Sequence, residues 1–199
     1  LNSDGSTSQM CGNGLRCLVR YARDSGIVEN DVLTVETDAG IKKAVLCADG
    51  SSRIEMGSPS FAPEVELGGT RFLRVSMGNP HAVAFLGSEA EVEALNLKMV
   101  GPPVENHPLF PEKTNVEFAC SRGRHEVRMR IWERGAGETL ASGSGSCAVA
   151  VAAIRSGLAE SPIYVILDGG SVTVEWAADE ESVYMTGPAE YVCEGELLL

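Results

Sequence analysis

A cysteine and a serine each stand directly before a glycine-x-glycine turn that reads as a helix start. Cys11 precedes Gly12-Asn13-Gly14, and Ser142 precedes Gly143-Ser144-Gly145. The first N–H groups of a helix have no partner inside it, and the macrodipole adds roughly half a positive charge at that end. Such a start binds an anion, for example a carboxylate. It also favours the thiolate of a cysteine placed just before it. If the two starts face each other, they form one cleft with two anion cradles, a thiol on one side and a hydroxyl on the other. That equipment suits holding a carboxylate beside a reactive thiol.

The two stretches are copies of one unit. Cys11 to Ile27 aligns without a gap on Ser142 to Leu158, and the glycines of Ser25-Gly26-Ile27 and Ser156-Gly157-Leu158 read as helix stops. The likeness continues more loosely. Asp38-Ala39-Gly40 matches Asp168-Gly169-Gly170, and Met56-Gly57-Ser58-Pro59 matches Met185-Thr186-Gly187-Pro188. A repeat this long suggests two half-molecules facing one another rather than a solenoid.

The elements that must position the helix starts follow from periodicity. Leu15, Leu18, Val19 and Ala22 recur at helical spacing, whereas residues 147–154 are apolar all round, which predicts a helix buried on every side. A hairpin is expected after each helix: Val32–Thr37 with Ile41–Cys47, and Ile163–Leu167 with Ser171–Trp176. Strands are expected at Arg71–Met77, His81–Leu86, Asn115–Ala119 and Glu126–Trp132. One helix is expected near 88–100, opened by the capping box Ser88-x-x-Glu91. The fold class is therefore α+β: two pseudo-symmetric, strand-rich domains, each wrapped around a central helix. The expected boundaries are 1–56, completed by 187–199, and 57–186. Strands precede the second helix start but not the first, so the first domain is expected to be incomplete, with opening strands lying before Leu1.

Composition narrows the partners. The chain has 199 residues, 16 Lys+Arg against 28 Asp+Glu and a net charge of −12, which argues against nucleic acid or an anionic membrane. No apolar run reaches the roughly 20 residues of a membrane span. No secretory segment is read at the start, so a cytoplasmic location and reduced thiols are expected. The six cysteines show no C-x-x-C spacing, and no metal site is expected. Cys17, Cys47, Cys120, Cys147 and Cys193 are read as packing thiols.

Five motifs in order resemble those of the diaminopimelate epimerase family. They are Asn2-x-Asp4-Gly5-Ser6 with Met10-Cys11-Gly12-Asn13-Gly14-x-Arg16-Cys17; Met77-Gly78-Asn79-Pro80-His81; Thr114-Asn115-Val116-Glu117-Phe118; Trp132-Glu133-Arg134-Gly135-x-Gly137-Glu138-Thr139-Leu140-Ala141; and Tyr191 to Leu197, which resembles the closing strand. The resemblance covers the whole chain. It implies a cofactor-independent isomerase that interconverts L,L- and meso-diaminopimelate in lysine and peptidoglycan precursor synthesis. It implies two-base chemistry, one group on each face of the α-carbon, with Cys11 at one catalytic position. It places Gly12 and Asn13 in one carboxylate cradle, and Gly143 and Ser144 in the other. Asn2, Asn79 and Asn115 match side chains that hold the distal amino-acid end. Glu133 matches a residue near the α-ammonium, Arg134 one toward the distal carboxylate, and His81 one beside the site that orients or assists a thiol. Glu138 is read as support for the loop before Ser142. A homodimer is implied as well.

The sequence departs from the family at Ser142, where a second catalytic cysteine is expected. A hydroxyl is far less acidic than a thiol. Three explanations stand open: an engineered Cys→Ser change, a natural one-thiol enzyme such as a dehydratase or another amino-acid racemase on this scaffold, or a catalytically inactive amino-acid-binding homologue.

Overall fold

The computed structural model describes residues 11–38, 40–177 and 182–196. The chain runs through α1 (Gly12–Asp24), β1 (Val32–Thr37), β2 (Gly40–Leu46), β3 (Ser52–Gly57), β4 (Ser60–Leu67), β5 (Thr70–Ser76) and β6 (Pro80–Phe85). It continues with α2 (Glu89–Ala94), α3 (Leu97–Glu105), β7 (Asn115–Gly123), β8 (Glu126–Glu133), β9 (Gly137–Thr139), α4 (Gly143–Arg155), β10 (Ile163–Leu167), β11 (Gly170–Glu175) and β12 (Val183–Gly187). The class is α+β. The strands form one continuous sheet in the order β1-β2-β3-β12-β11-β10-β8-β7-β6-β5-β4, with β9 paired to β8.

The repeat is visible in that order. The run β1-β2-β3 meets its copy β12-β11-β10 in reverse, and the antiparallel β3–β12 pair, with Met185 opposite Ile54, lies at the centre. Both hairpins form where expected. The helices match residue for residue. Cys11 and Ser142 are extended N-caps whose side chains accept from the N–H groups of Gly14 and Gly145. Both helices end on a glycine of positive φ, Gly26 at 68° and Gly157 at 69°. In each, the following residue returns a hydrogen bond to a carbonyl in the last turn, Ile27 to Ala22 and Leu158 to Ala153.

Strands β5 to β8 and β10 to β12 pack around α4. Its apolar residues from Cys147 to Ala153 are all buried, packed with Val83, Ala119, Met129, Ile131 and Val165. A second cluster, built on Phe72, Phe118, Leu97 and Phe110, sits under α3.

Two expectations are corrected, and four strands go beyond those expected. The single helix near 88–100 is two. Ser88 caps α2 by accepting from the Glu91 N–H, but Leu95 is extended, and the Arg130 guanidinium collects the carbonyls of Val92, Glu93 and Leu95. A cation that takes the last carbonyls ends the helix there. The chain restarts at Leu97, which is buried in the second cluster. The closing strand expected at 191–197 does not form over 191–196, where no strand among the described residues pairs with it; Leu197 lies outside the described residues. A strand without a partner leaves its backbone groups unsatisfied. Strands β3, β4, β9 and β12 are not among the expected ones, although β3 alternates buried and half-buried residues.

Candidate active site

The helix starts abut. A Cβ on Gly143 would lie 3.5 Å from the Gly12 Cα. A Cβ on Gly12 would lie 2.9 Å from the Met185 Cε and 3.1 Å from the Met56 Cε. A side chain at Gly12 would therefore have to push the end of a methionine aside. Met56 and Met185, themselves repeat mates, form the shared floor.

The caps use only part of what each helix start offers. The Cys11 Sγ accepts from the Gly14 N–H at 3.4 Å, and the Ser142 Oγ accepts from the Gly145 N–H at 3.3 Å. The N–H groups of Gly12, Asn13, Gly143 and Ser144 have no acceptor among the described residues. These four donors are the ones a carboxylate would need. A cleft of about 160 Å³ opens beside them, lined by Asn13, Arg16, Ser142, Gly143, Ser146 and Pro188 among others.

The two caps differ in their surroundings. Cys11 is exposed, whereas Ser142 is only 6% exposed. The Ser142 Oγ also donates to the Glu133 Oε2 at 3.2 Å, and the Glu133 Oε1 accepts from the Thr139 hydroxyl at 2.5 Å. Beneath Cys11 lies Arg16, buried, its Nε donating to the Pro188 carbonyl and its Nη1 directed at the Met185 sulfur. Burial lowers the Arg16 pKa, while the thiols of Cys17, Cys11 and Cys147 act the other way. Cys147, the repeat mate of Arg16, is pushed up to about 12 by burial, with Arg16 opposing.

Asn79 and His81 lie against the second helix start. The Asn79 Nδ2 donates to the Ser144 Oγ at 3.3 Å, and its Oδ1 faces the His81 Nε2 at 2.9 Å. The His81 Nδ1 is 2.6 Å from the Glu117 Oε1, both side chains being buried. Asn115 is buried and spans two backbone groups. It donates to the Pro80 carbonyl at 3.0 Å and accepts from the Arg134 N–H at 2.9 Å, so it fixes the turn that presents Glu133. Arg134 is exposed, and its Nη1 donates to the Glu112 carbonyl at 2.9 Å. Glu138 pairs with Arg130 at 2.6 Å, as expected of a loop support. Asn2 lies outside the described residues.

The structure thus gathers Gly12, Asn13, Gly143, Ser144, Ser142, Glu133, Asn79 and His81 near the paired helix starts. Two neighbours stand in the quoted motifs without an assigned role, Arg16 and Glu117. The signal for Glu117 is a lone acid in the apolar run Val116-Glu117-Phe118-Ala119, on the same face as Asn115. Of the cysteines read as packing, Cys120 and Cys147 are buried and Cys47 is half-buried, but Cys17 and Cys193 are exposed. Cys17 falls on a face of α1 that is exposed among the described residues. Among the described residues no cluster of three or more His, Cys, Asp or Glu side chains is placed to hold a metal ion.

Comparison with known proteins gives a consistent result. The family model described as diaminopimelate epimerase matches residues 1–62 and 73–192. A diaminopimelate epimerase from Desulfitobacterium hafniense is 45% identical, over 100% of this chain and 76% of its own length. One from Bacteroides thetaiotaomicron is 44% identical, over 98% and 75%. Among solved structures, a phenazine biosynthesis protein of the PhzF family from Bacillus anthracis superposes with a TM-score of 0.77 at 18% identity, over 100% of this chain and 79% of its own. A hydroxyproline epimerase from Agrobacterium vitis superposes with a TM-score of 0.69 at 19% identity, over 94% and 66%. These two share the fold.

Proposed function

We propose a function for this chain from its family: it belongs to the diaminopimelate epimerases, and it is an isomerase of the α-carbon of diaminopimelate, working between the L,L and meso forms. The observation that carries this is the pair of abutting helix starts with four N–H groups that have no acceptor among the described residues. In this reading the α-carboxylate sits on Gly12, Asn13, Gly143 and Ser144. Cys11 removes or returns the α-proton on one face. Negative charge then develops on the carboxylate oxygens, where preorganised N–H donors stabilise it best. Ser142 occupies the other face. Glu133, beside it, also serves the α-ammonium, and Asn2, Asn79, Asn115 and Arg134 serve the distal end.

A hydroxyl holds its proton far more tightly than a thiol. With Ser142 bound to Glu133, we read this chain as working from the Cys11 face and as slow in full epimerisation. The same proposal divides the chain into halves at 1–56 with 187–199 and 57–186, supported by the mirrored strand order. It also includes a homodimer and a cytoplasmic setting, the latter supported by six cysteines all free. Among the described residues no helix is long and apolar enough to cross a membrane.

The test is solvent deuterium incorporation into L,L- and meso-diaminopimelate, followed by NMR. Exchange from one isomer only is the expected result. Equal exchange from both, with epimerisation, overturns the reading of Ser142. Binding without exchange replaces it with an amino-acid-binding protein.

A further inference from the structure

Glu117 is used by none of the chemistry above, yet it is fully buried directly behind the second helix start. A Cβ on Gly145 would lie 3.2 Å from its Oε1. Its strand runs parallel to that of His81, with His81 in register with Asn115. One carboxyl oxygen meets the His81 Nδ1 at 2.6 Å; the other, Oε2, is buried with no partner among the described residues.

The proton inventory can be read from the far end of this chain of contacts. The Asn79 Nδ2 donates to Ser144, so the amide oxygen is the atom facing the His81 Nε2. An amide oxygen only accepts, so Nε2 carries a hydrogen. Two arrangements remain. Either Nδ1 is protonated too, giving imidazolium against carboxylate, or Nδ1 accepts from a protonated Glu117. In the first, the buried Oε2 belongs to an anion with no donor, close to the Glu133 charge. In the second, it is the carbonyl oxygen of a neutral acid. Leaving a charged oxygen unsatisfied in the interior costs far more than leaving a neutral one.

We propose that Glu117 is a neutral carboxylic acid that donates its proton to the His81 Nδ1, and that it acts as a positioning residue. It fixes His81 as the Nε2–H tautomer, which fixes the Asn79 amide, which points its NH2 at Ser144. Burial pushes the Glu117 carboxyl up, Glu133 adds to this, and His81 opposes it; these are the two charged groups that act on it. The service to the substrate cradle rests on the reading above. The position of the proton does not.

The experiment therefore reads the proton alone, on the chain as it is. Ring 15N shifts of His81, assigned against His81→Asn, are measured at neutral pH in the wild type, Glu117→Gln and Glu117→Ala. The expected wild-type spectrum shows hydrogen on Nε2 only, and the infrared difference between wild type and Glu117→Gln shows a protonated carboxyl band. Glutamine still offers a donor to Nδ1, so Glu117→Gln keeps the tautomer, whereas Glu117→Ala releases it to a mixture. Hydrogen on both ring nitrogens of the wild type, or no carboxylic band, overturns the proposal without touching the epimerase reading.

Discussion

Helices α1 and α4 have the same length, the same extended N-cap geometry and the same glycine stop, yet they live in different surroundings. On α1 only one face is buried, through Leu15, Arg16, Val19 and Ala22, while Leu18 and Tyr21 are 48% and 54% exposed. On α4 every residue from Gly145 to Ala153 is buried. The first helix rests on β2 and β3; the second is ringed by β5 to β8 and β10 to β12, strands of its own half. Caps and stops are local, set by a side-chain acceptor and a glycine, so both copies keep them. Burial is tertiary and diverges with whatever packs around. The chemistry follows: an exposed thiol over a buried guanidinium at one start, a buried hydroxyl tied to a carboxylate at the other.

The comparison breaks most visibly at position 142. If the two caps are equivalent proton handlers, Ser142→Cys raises epimerisation by about 10²–10⁴-fold, the usual contribution of a positioned acid or base. The check is circular dichroism or chiral chromatography of the two isomers, with Cys11→Ala inactive in either background. An unchanged rate would show that matched cap geometry does not make matched chemistry.

The next largest contrast lies three residues on. A Cβ at Gly145 meets the Ile131 Cδ1 at 2.7 Å and the Ser142 Oγ at 3.1 Å, whereas one at Gly14 meets only Cys11 atoms at 3.6 Å and beyond. Gly145→Ala should therefore cost about 1–3 kcal/mol by overpacking. Gly14→Ala should be neutral or stabilise by up to about 1 kcal/mol, because alanine lowers the entropy of the unfolded chain. Urea unfolding of both variants measures the difference. Equal effects would mean that the two helix starts are equally crowded.

How much of this was legible follows the same division. The caps, the stops, both hairpins and the repeat itself stood in the sequence, because each depends on residues close together in the chain. The all-apolar stretch at 147–154 announced a buried helix. What was not legible depends on partners far away. The break at Leu95 is made by Arg130, from a strand 35 residues on. The role of Asn115 as a backbone brace needs Pro80 brought up by the parallel β6–β7 pairing and Arg134 by the antiparallel β7–β8 pairing. Glu117 was quoted within a motif, but only the register of β6 and β7 reveals that it faces His81.

The smallest contrast concerns the caps alone. A hydroxyl is a good acceptor for a helix N–H and sulfur a poor one, and Cys11 is exposed where Ser142 is buried. Ser142→Ala removes the acceptor for Gly145 and a buried donor to Glu133 together, so it should cost about 1–2 kcal/mol. Cys11→Ala loses one long sulfur contact in water and should cost only a few tenths of a kcal/mol, toward the weak end of capping effects. Cys11→Ser should then stabilise α1 slightly by supplying the better acceptor. Were Cys11→Ala as costly as Ser142→Ala, the thiol would be holding the first helix start together. The residue offered for proton transfer would then be a structural one as well, and the separation drawn between local caps and divergent chemistry would fail at its first residue.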